Sequence, residues 1–286
     1  MVEVTHLRRR KKASPTRLFI ASLRYGAIMI AVFIAVFPLC WIILASFKRA
    51  ADLTQLPPAV FFNPTLGNYV AVVRERFFFF FQNSVIVTVA SVLLSIALGV
   101  PAAYGLSRFS LSNKKVIMFF VLSVRFVPYI VFGLPLFLIM VNLGLVGTRG
   151  GVIFVYILIN LPIIIWLMKT FFDDIPTDID EAAAVDGATR FQTFRMVILP
   201  CAGAGIACVT ILSFIFAWNE YLFALILSGR NAQTLTVGLT RFLGGMETGV
   251  RWGLLSAWSV AVTMPVVAIA LLVHKYLREG FTRQSW

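Results

Sequence analysis

The sequence predicts an all-α integral membrane protein with six transmembrane helices, and three observations carry that expectation. Of the 286 residues, 60% are hydrophobic and 13% charged, about half the charged share of a soluble globular chain. The apolar residues gather in six runs of roughly 20 residues or more, the length that crosses the hydrocarbon core of a bilayer. The basic residues, which give a net charge of +13, cluster at the ends of those runs. They lack the aromatic interleaving of a nucleic-acid surface, so the expected medium is lipid and nucleic acid is not an expected partner.

Residues 1–24 read as a basic cytosolic tail, with Arg8-Arg9-Arg10-Lys11-Lys12, Arg17 and Arg24. The apolar run that follows, Tyr25 to Phe47, is too long for the core of a cleaved signal peptide, about 7–15 residues, and reads as a retained first span. Pro38 inside it predicts a kink. Residues 48–81 form the longest polar connection, with turn chemistry at Pro57-Pro58, Asn63-Pro64 and Gly67-Asn68. The phenylalanine run Phe77–Phe81 at its end is expected as an interfacial girdle.

Span two, about Ser84–Leu106, carries Ser84, Thr88, Ser91, Ser95 and Gly99 at spacings of four, three, four and four. Such a stripe lets helices approach closely in lipid; lining a solute path is the alternative. Span three, about Val116–Val141, holds Arg125, Pro128, Gly133 and Pro135. The proline–glycine–proline series predicts broken helix geometry. An arginine facing lipid at this depth costs about 2.5–3.5 kcal/mol, so Arg125 must face protein, water or a carboxylate, either lining a pathway or pairing structurally. Asn142–Gly151 is a glycine-rich turn, and span four is about Val152–Phe172. Span five is about Gly203–Leu227, Arg230–Arg251 is a connection on the outer side, and span six is about Gly253–Val273. The membrane domain is thus 25–277, with a basic tail at 278–286.

Six spans put 16 basic residues on one side (the N-terminal seven, Arg108, Lys114, Lys115, Lys169, Arg190, Arg195, Lys275, Arg278 and Arg283) and eight on the other. The positive-inside rule then places both termini in the cytosol. The loop between spans four and five lands there too, and it is unusual: six of the twelve carboxylates fall between Asp173 and Asp186. Pro176 with Thr177 or Asp178 is a helix start, and Glu181-Ala182-Ala183-Ala184 are strong helix formers. Gly187 suits a C-terminal cap that needs a positive φ. A second short helix, about Ala188–Ile198, runs up to Pro200. On it Phe191 and Phe194 are expected on one side, with Arg190 and Arg195 elsewhere. Two exposed aromatics are costly in water, so either a partner covers them or they fold back onto the membrane domain.

Glu181-Ala182-Ala183, Gly187 and Val197-x-Leu199-Pro200 resemble the EAA loop of ABC-importer permeases, E-A-A-x3-G-x9-I-x-L-P, departing only at Val197. Phe171-Phe172-x-x-Ile175-Pro176 before it, Phe216-x-Trp218-Asn219-Glu220 after it, and Gly67-Asn68-Tyr69 are similar to the carbohydrate branch, in particular the second permease subunit of the maltose-type importers. The resemblance implies a type I ABC-importer permease fold in which segment 173–200 is a coupling helix docked in a groove of a cytosolic ATPase. Its implied contacts are Glu181, Ala182, Ala183, Asp186, Gly187, Phe191, Phe194, Arg195, Leu199 and Pro200. The partners it implies are a second permease subunit, an ATPase dimer and an extracytoplasmic sugar-binding protein.

The chain has no G-x-x-x-x-G-K-[ST] phosphate loop, so ATP and magnesium are expected on the partner ATPase and no cofactor on this chain. Cys40, Cys201 and Cys208 lie in or beside spans without a C-x-x-C pair, and the histidines are only His6 and His274. Neither a metal site nor a disulfide framework is supported, and buried thiols are expected. No catalytic constellation is visible, which disfavours a membrane enzyme; the scarcity of intramembrane carboxylates, with only Glu220 in a span, and the lack of repeated halves disfavour a proton-coupled secondary transporter. An ABC permease for a glycerol-phosphate or polyol remains the alternative solute reading. For the solute path the candidates are Asn219, Glu220, Trp218 and Arg125: the first two offer hydrogen bonds and Trp218 an apolar face, with interfacial anchoring the competing role for the tryptophan.

Overall fold

The structure, a computed structural model, describes residues 15–55, 57, 59, 61–244 and 249–283. The basic cluster at residues 8–12 and Glu247 lie outside the described residues, and all regular structure among the described ones is helical.

Helix α1 (Pro15–Ser46) begins inside the stretch expected as a tail and continues through Pro38. Most of its apolar side chains from Leu23 to Leu44 are exposed, as suits a helix surrounded by lipid or by another chain. Short helices α2 (Ala50–Thr54) and α3 (Gly67–Arg74) follow. Asn68 ties this connection down by donating to the carbonyls of Ser46 and Lys48 at 2.9 and 2.8 Å.

Helices α4 (Phe77–Arg108) and α7 (Arg149–Asp173) form the central pair. Ser84, Thr88, Ser91, Ser95 and Gly99 are all buried. A Cβ on Gly99 would stand 2.6 Å from Cγ2 of Ile164 on α7, so the two backbones meet where a larger residue would force them apart. The small-residue stripe is packing. The expected aromatic girdle is corrected: Phe77–Phe81 is the first turn and a half of α4. Phe80 is fully buried and Phe77 and Phe80 both meet the Trp258 ring edge-on, leaving Phe78 exposed.

The third crossing is broken as expected. Helices α5 (Lys114–Phe126) and α6 (Tyr129–Asn142) bend by 97°. Pro128 forces the preceding Val127 into extended backbone, φ −77° and ψ 129°. After α7 come α8 (Asp178–Val185), α9 (Arg190–Cys201) and α10 (Gly203–Asn219), the last two meeting at 76°. Among the described residues, four helices are long and apolar enough to span a membrane, or up to six if each bent pair is one crossing.

The fifth crossing differs from its expected extent. Instead of running to Leu227 it stops at Asn219; Glu220 is extended, and α11 (Leu222–Leu227) is a separate short helix. The supposed outer connection also turns back into the protein. Helix α12 (Leu235–Gly238) and the 3₁₀ turn Leu239–Phe242 carry buried Leu235, Thr236, Val237 and Phe242. Its backbone is satisfied by span residues: Leu235 N–H donates to Ser84 Oγ at 2.7 Å and Trp258 Nε1 to the Leu235 carbonyl at 2.9 Å. Helix α13 (Trp252–Arg283) closes the chain beside α1. The thiol expectation is overturned in part, since Cys40 and Cys201 are exposed and Cys208 half-buried.

Two of the three apolar clusters sit towards the end with Glu220 and Trp258, and the third surrounds Phe172 and Ile198 at the acidic end.

Candidate functional site

The acidic segment folds by its own local chemistry. Asp178, Asp180 and Glu181 occupy the first turn of α8, where the unpaired N–H groups favour negative charge. The helix closes in a Schellman motif: Gly187 donates to the Ala184 carbonyl at 3.1 Å and Ala188 to that of Ala183 at 3.0 Å. Gly187 sits at φ +81° with no atom within 4 Å of where a Cβ would be, so backbone conformation, not space, demands glycine. Thr189 and Gln192 then form a capping box that opens α9, with Gln192 Oε1 accepting from Thr189 N–H at 2.8 Å. From Thr193 to Ile198 the helix widens to an i→i+5 turn, a form frequent at functional sites.

One face of this segment rests on α4 and α7. Ala183, Thr193 and Ile198 are buried. The Phe194 ring lies 4.8 Å from that of Tyr104, which meets Phe172 edge-on at 5.6 Å. Polar bonds fix the same face. Arg108 Nε pairs with Asp180 Oδ2 at 2.8 Å and its Nη2 donates to the Ile175 carbonyl at 2.8 Å. Tyr104 donates its hydroxyl proton to Asp180 Oδ1 at 2.8 Å. Ser107 donates to Asp173 Oδ1 at 2.6 Å, and Lys169 pairs with the other oxygen of that carboxylate.

Among the described residues, none covers the opposite face. Glu181, Ala182, Asp186, Gly187, Phe191, Arg195 and Pro200 are exposed, Leu199 is half-buried, and three apolar side chains stand out: Val185 at 88%, Met196 at 71% and Phe191 at 68% exposure. The expectation for the two phenylalanines is corrected. Although three residues apart, they are parted by the change of pitch at Thr193, so Phe194 folds inwards and Phe191 points out. Ala183 likewise belongs to the inner face. Val185 and Met196 were missed because single apolar residues in a short polar segment carry no sequence signal. Arg108 was missed because its partner lies far along the chain.

The expected pathway residues divide. Trp218 is buried, stacked on Phe214 at 5.5 Å and donating its Nε1 proton to the Val262 carbonyl at 3.0 Å. Glu220 is buried too, and its two carboxylate oxygens accept from the N–H groups of Phe223 and Ala224 at 3.0 and 3.1 Å. It caps α11, a structural task that leaves little for a solute; this corrects both assignments. Arg125 is half-buried without a carboxylate partner among the described residues. It donates to the Tyr129 hydroxyl and, at 3.3 Å, to the Ile159 carbonyl, and lies 4.8 Å over the Phe216 ring. Asn219 is exposed; its Nδ2 donates to the Ile215 carbonyl at 2.8 Å. Arg125, exposed Phe216 and Asn219 thus share a surface that Trp218 and Glu220 do not reach.

Comparison with known proteins adds independent findings. The family model described as binding-protein-dependent transport system inner membrane component matches residues 91–282. The trehalose/maltose transport system permease protein MalG of Thermococcus litoralis is 36% identical over 262 residues, covering 90% of this chain and 93% of the relative. A probable ABC transporter permease protein, y4oR of Sinorhizobium fredii, is 32% identical over 257 residues, covering 90% and 92%. The fold is similar to that of a chain in the crystal structure of a bacterial ABC transporter involved in import of the acidic polysaccharide alginate. There the TM-score is 0.77 and the identity 26%, over 93% of this chain and 99% of that one.

Proposed function

This chain belongs to the binding-protein-dependent transport system inner membrane components, and from that premise we propose that it is a permease subunit of an ATP-driven sugar importer. Relatives named for trehalose/maltose and for diacetylchitobiose uptake support sugar as the solute class. Two permease subunits, of which this is one, form the path. ATP and magnesium bind a separate ATPase dimer, and an extracytoplasmic binding protein delivers the solute. Both termini and the acidic segment lie on the cytosolic side, as the distribution of basic residues supports.

One observation carries the coupling assignment: Val185, Phe191 and Met196 are exposed on the segment between α7 and α10. Apolar side chains grouped in water mark a contact surface, and the held geometry of Gly187 and the capping box preforms it. An ATPase can bias the permease only through contacts that differ between its states; this face supplies them, with Glu181 and Asp186 offering acceptors at its rim. On the solute path we assign Asn219 and Phe216, with Arg125 holding the Phe216 ring.

The test is co-purification. Replacing Val185 and Phe191 together by aspartate should leave the chain inserted and weaken ATPase binding at least about 30-fold, the order of one lost hot spot. Undiminished binding and normal uptake would refute the docking face.

A further inference from the structure

We propose that the last turn of α4, through Tyr104 and Arg108, is the receiving end of the acidic segment: a polar clasp that turns displacement of α8 and α9 into displacement of the central crossing. The inference rests on the coupling reading above and goes beyond it. That reading concerns the exposed face, which grips a partner; this one concerns the covered face, which must pass the motion on.

Four observations converge on that turn. It touches each part of the segment: Phe172 and Asp173 at the end of α7, Ile175 in the link, Asp180 on α8 and Phe194 on α9. The contacts include two directional hydrogen bonds, from Arg108 Nη2 to the Ile175 carbonyl at 2.8 Å and from the Tyr104 hydroxyl to Asp180 Oδ1 at 2.8 Å, and an ion pair between Arg108 and Asp180 Oδ2 at 2.8 Å ties the same two elements together. The ion pair is screened from water, with side chains 10% and 19% exposed, so it is stronger than a surface pair. Finally, α4 is the right recipient. It packs along α7 and against α10, and its seam with α7 at Gly99 and Ile164 is close enough to move as a unit. Tyr104 and Arg108 are positioning residues, since neither reaches solute or nucleotide.

The experiment uses the whole transporter in lipid nanodiscs. Cys40, Cys201 and Cys208 are replaced by serine, and Tyr221→Cys at the far end reports accessibility to a membrane-impermeant maleimide. The readout is the labelling-rate ratio with and without a non-hydrolysable ATP analogue, alongside the amount of ATPase bound. Arg108→Gln should keep the ATPase bound while the ATP-dependent change shrinks about 5-fold or more, the lower range of allosteric couplings. Tyr104→Phe, which keeps the ring and deletes one hydrogen bond, should give a smaller loss of the same kind. Arg108→Asp combined with Asp180→Arg should recover most of the change. An unaltered ratio in both single variants, or a swap no better than either half, overturns the clasp while leaving the docking face intact. If the parent transporter binds no ATPase or shows no ATP dependence, the coupling reading itself falls.

Discussion

Two links interrupt the bundle, and they solve opposite problems. At the far end, Glu220–Phe242 breaks the fifth crossing and then folds back on the protein. Its carbonyls and N–H groups find Asn83, Ser84, Tyr156 and Trp258, and most of its apolar side chains join the core, with Tyr221 and Leu225 staying partly exposed. At the acidic end, Asp178–Cys201 is shaped by its own caps and packs one face against α4 and α7. The first link is mostly covered by the chain itself; the second leaves Val185, Phe191 and Met196 two-thirds or more exposed. Polar, irregular connections therefore cannot be ranked by composition. What separates a filler from a handle is whether apolar groups remain exposed once every backbone group is satisfied.

The contrast can be broken by substitution. The largest loss of stability is expected at Glu220→Ala. Removing the carboxylate leaves two buried N–H groups of α11 without acceptors, and at about 1–3 kcal/mol for each unsatisfied group the variant should lose roughly 3 kcal/mol, read as a lower unfolding temperature in detergent. A wild-type melting curve would show that the far link does not depend on its cap. Gly187→Val at the acidic end should cost about 1–2 kcal/mol, the strain of a side chain at positive φ. Because that strain falls on an exposed segment, insertion should survive while ATP-dependent uptake drops several-fold; full uptake would show that the preformed corner is dispensable. The smallest stability effect, under about 0.5 kcal/mol as for ordinary surface positions, belongs to Asn219→Ala. Its uptake KM should nevertheless rise several-fold, and an unchanged KM would remove Asn219 from the solute path.

The sequence made the crossings legible because run length is a property of the bilayer and needs no partner information. Pro128 announced the third-crossing break for the same local reason, and Gly187 announced its positive φ. The fifth-crossing break was hidden: Tyr221–Leu227 is as apolar as the helix before it, and only the buried carboxylate of Glu220 betrays the interruption. Re-entry of Leu235–Phe242 was equally silent, since threonines and glycines there read as loop until Ser84 and Trp258 are seen to bond its backbone. On the candidate site, local capping was readable and the split of Phe191 from Phe194 was not, because a turn of wider pitch leaves no mark in residue spacing. The Arg108–Asp180 pair joins residues 72 positions apart, as long-range topology alone can dictate.

The elbow at Ala202 has a mechanical corollary. Gly205, just past it, lies so close to α7 that a Cβ would fall 2.6 Å from Cγ of Phe171, which makes that point a bearing pressed against its neighbour. If α9 and α10 keep their 76° angle, a sideways push on the short arm swings the long arm about this fulcrum, and the resulting tilt grows along the rod towards Asn219.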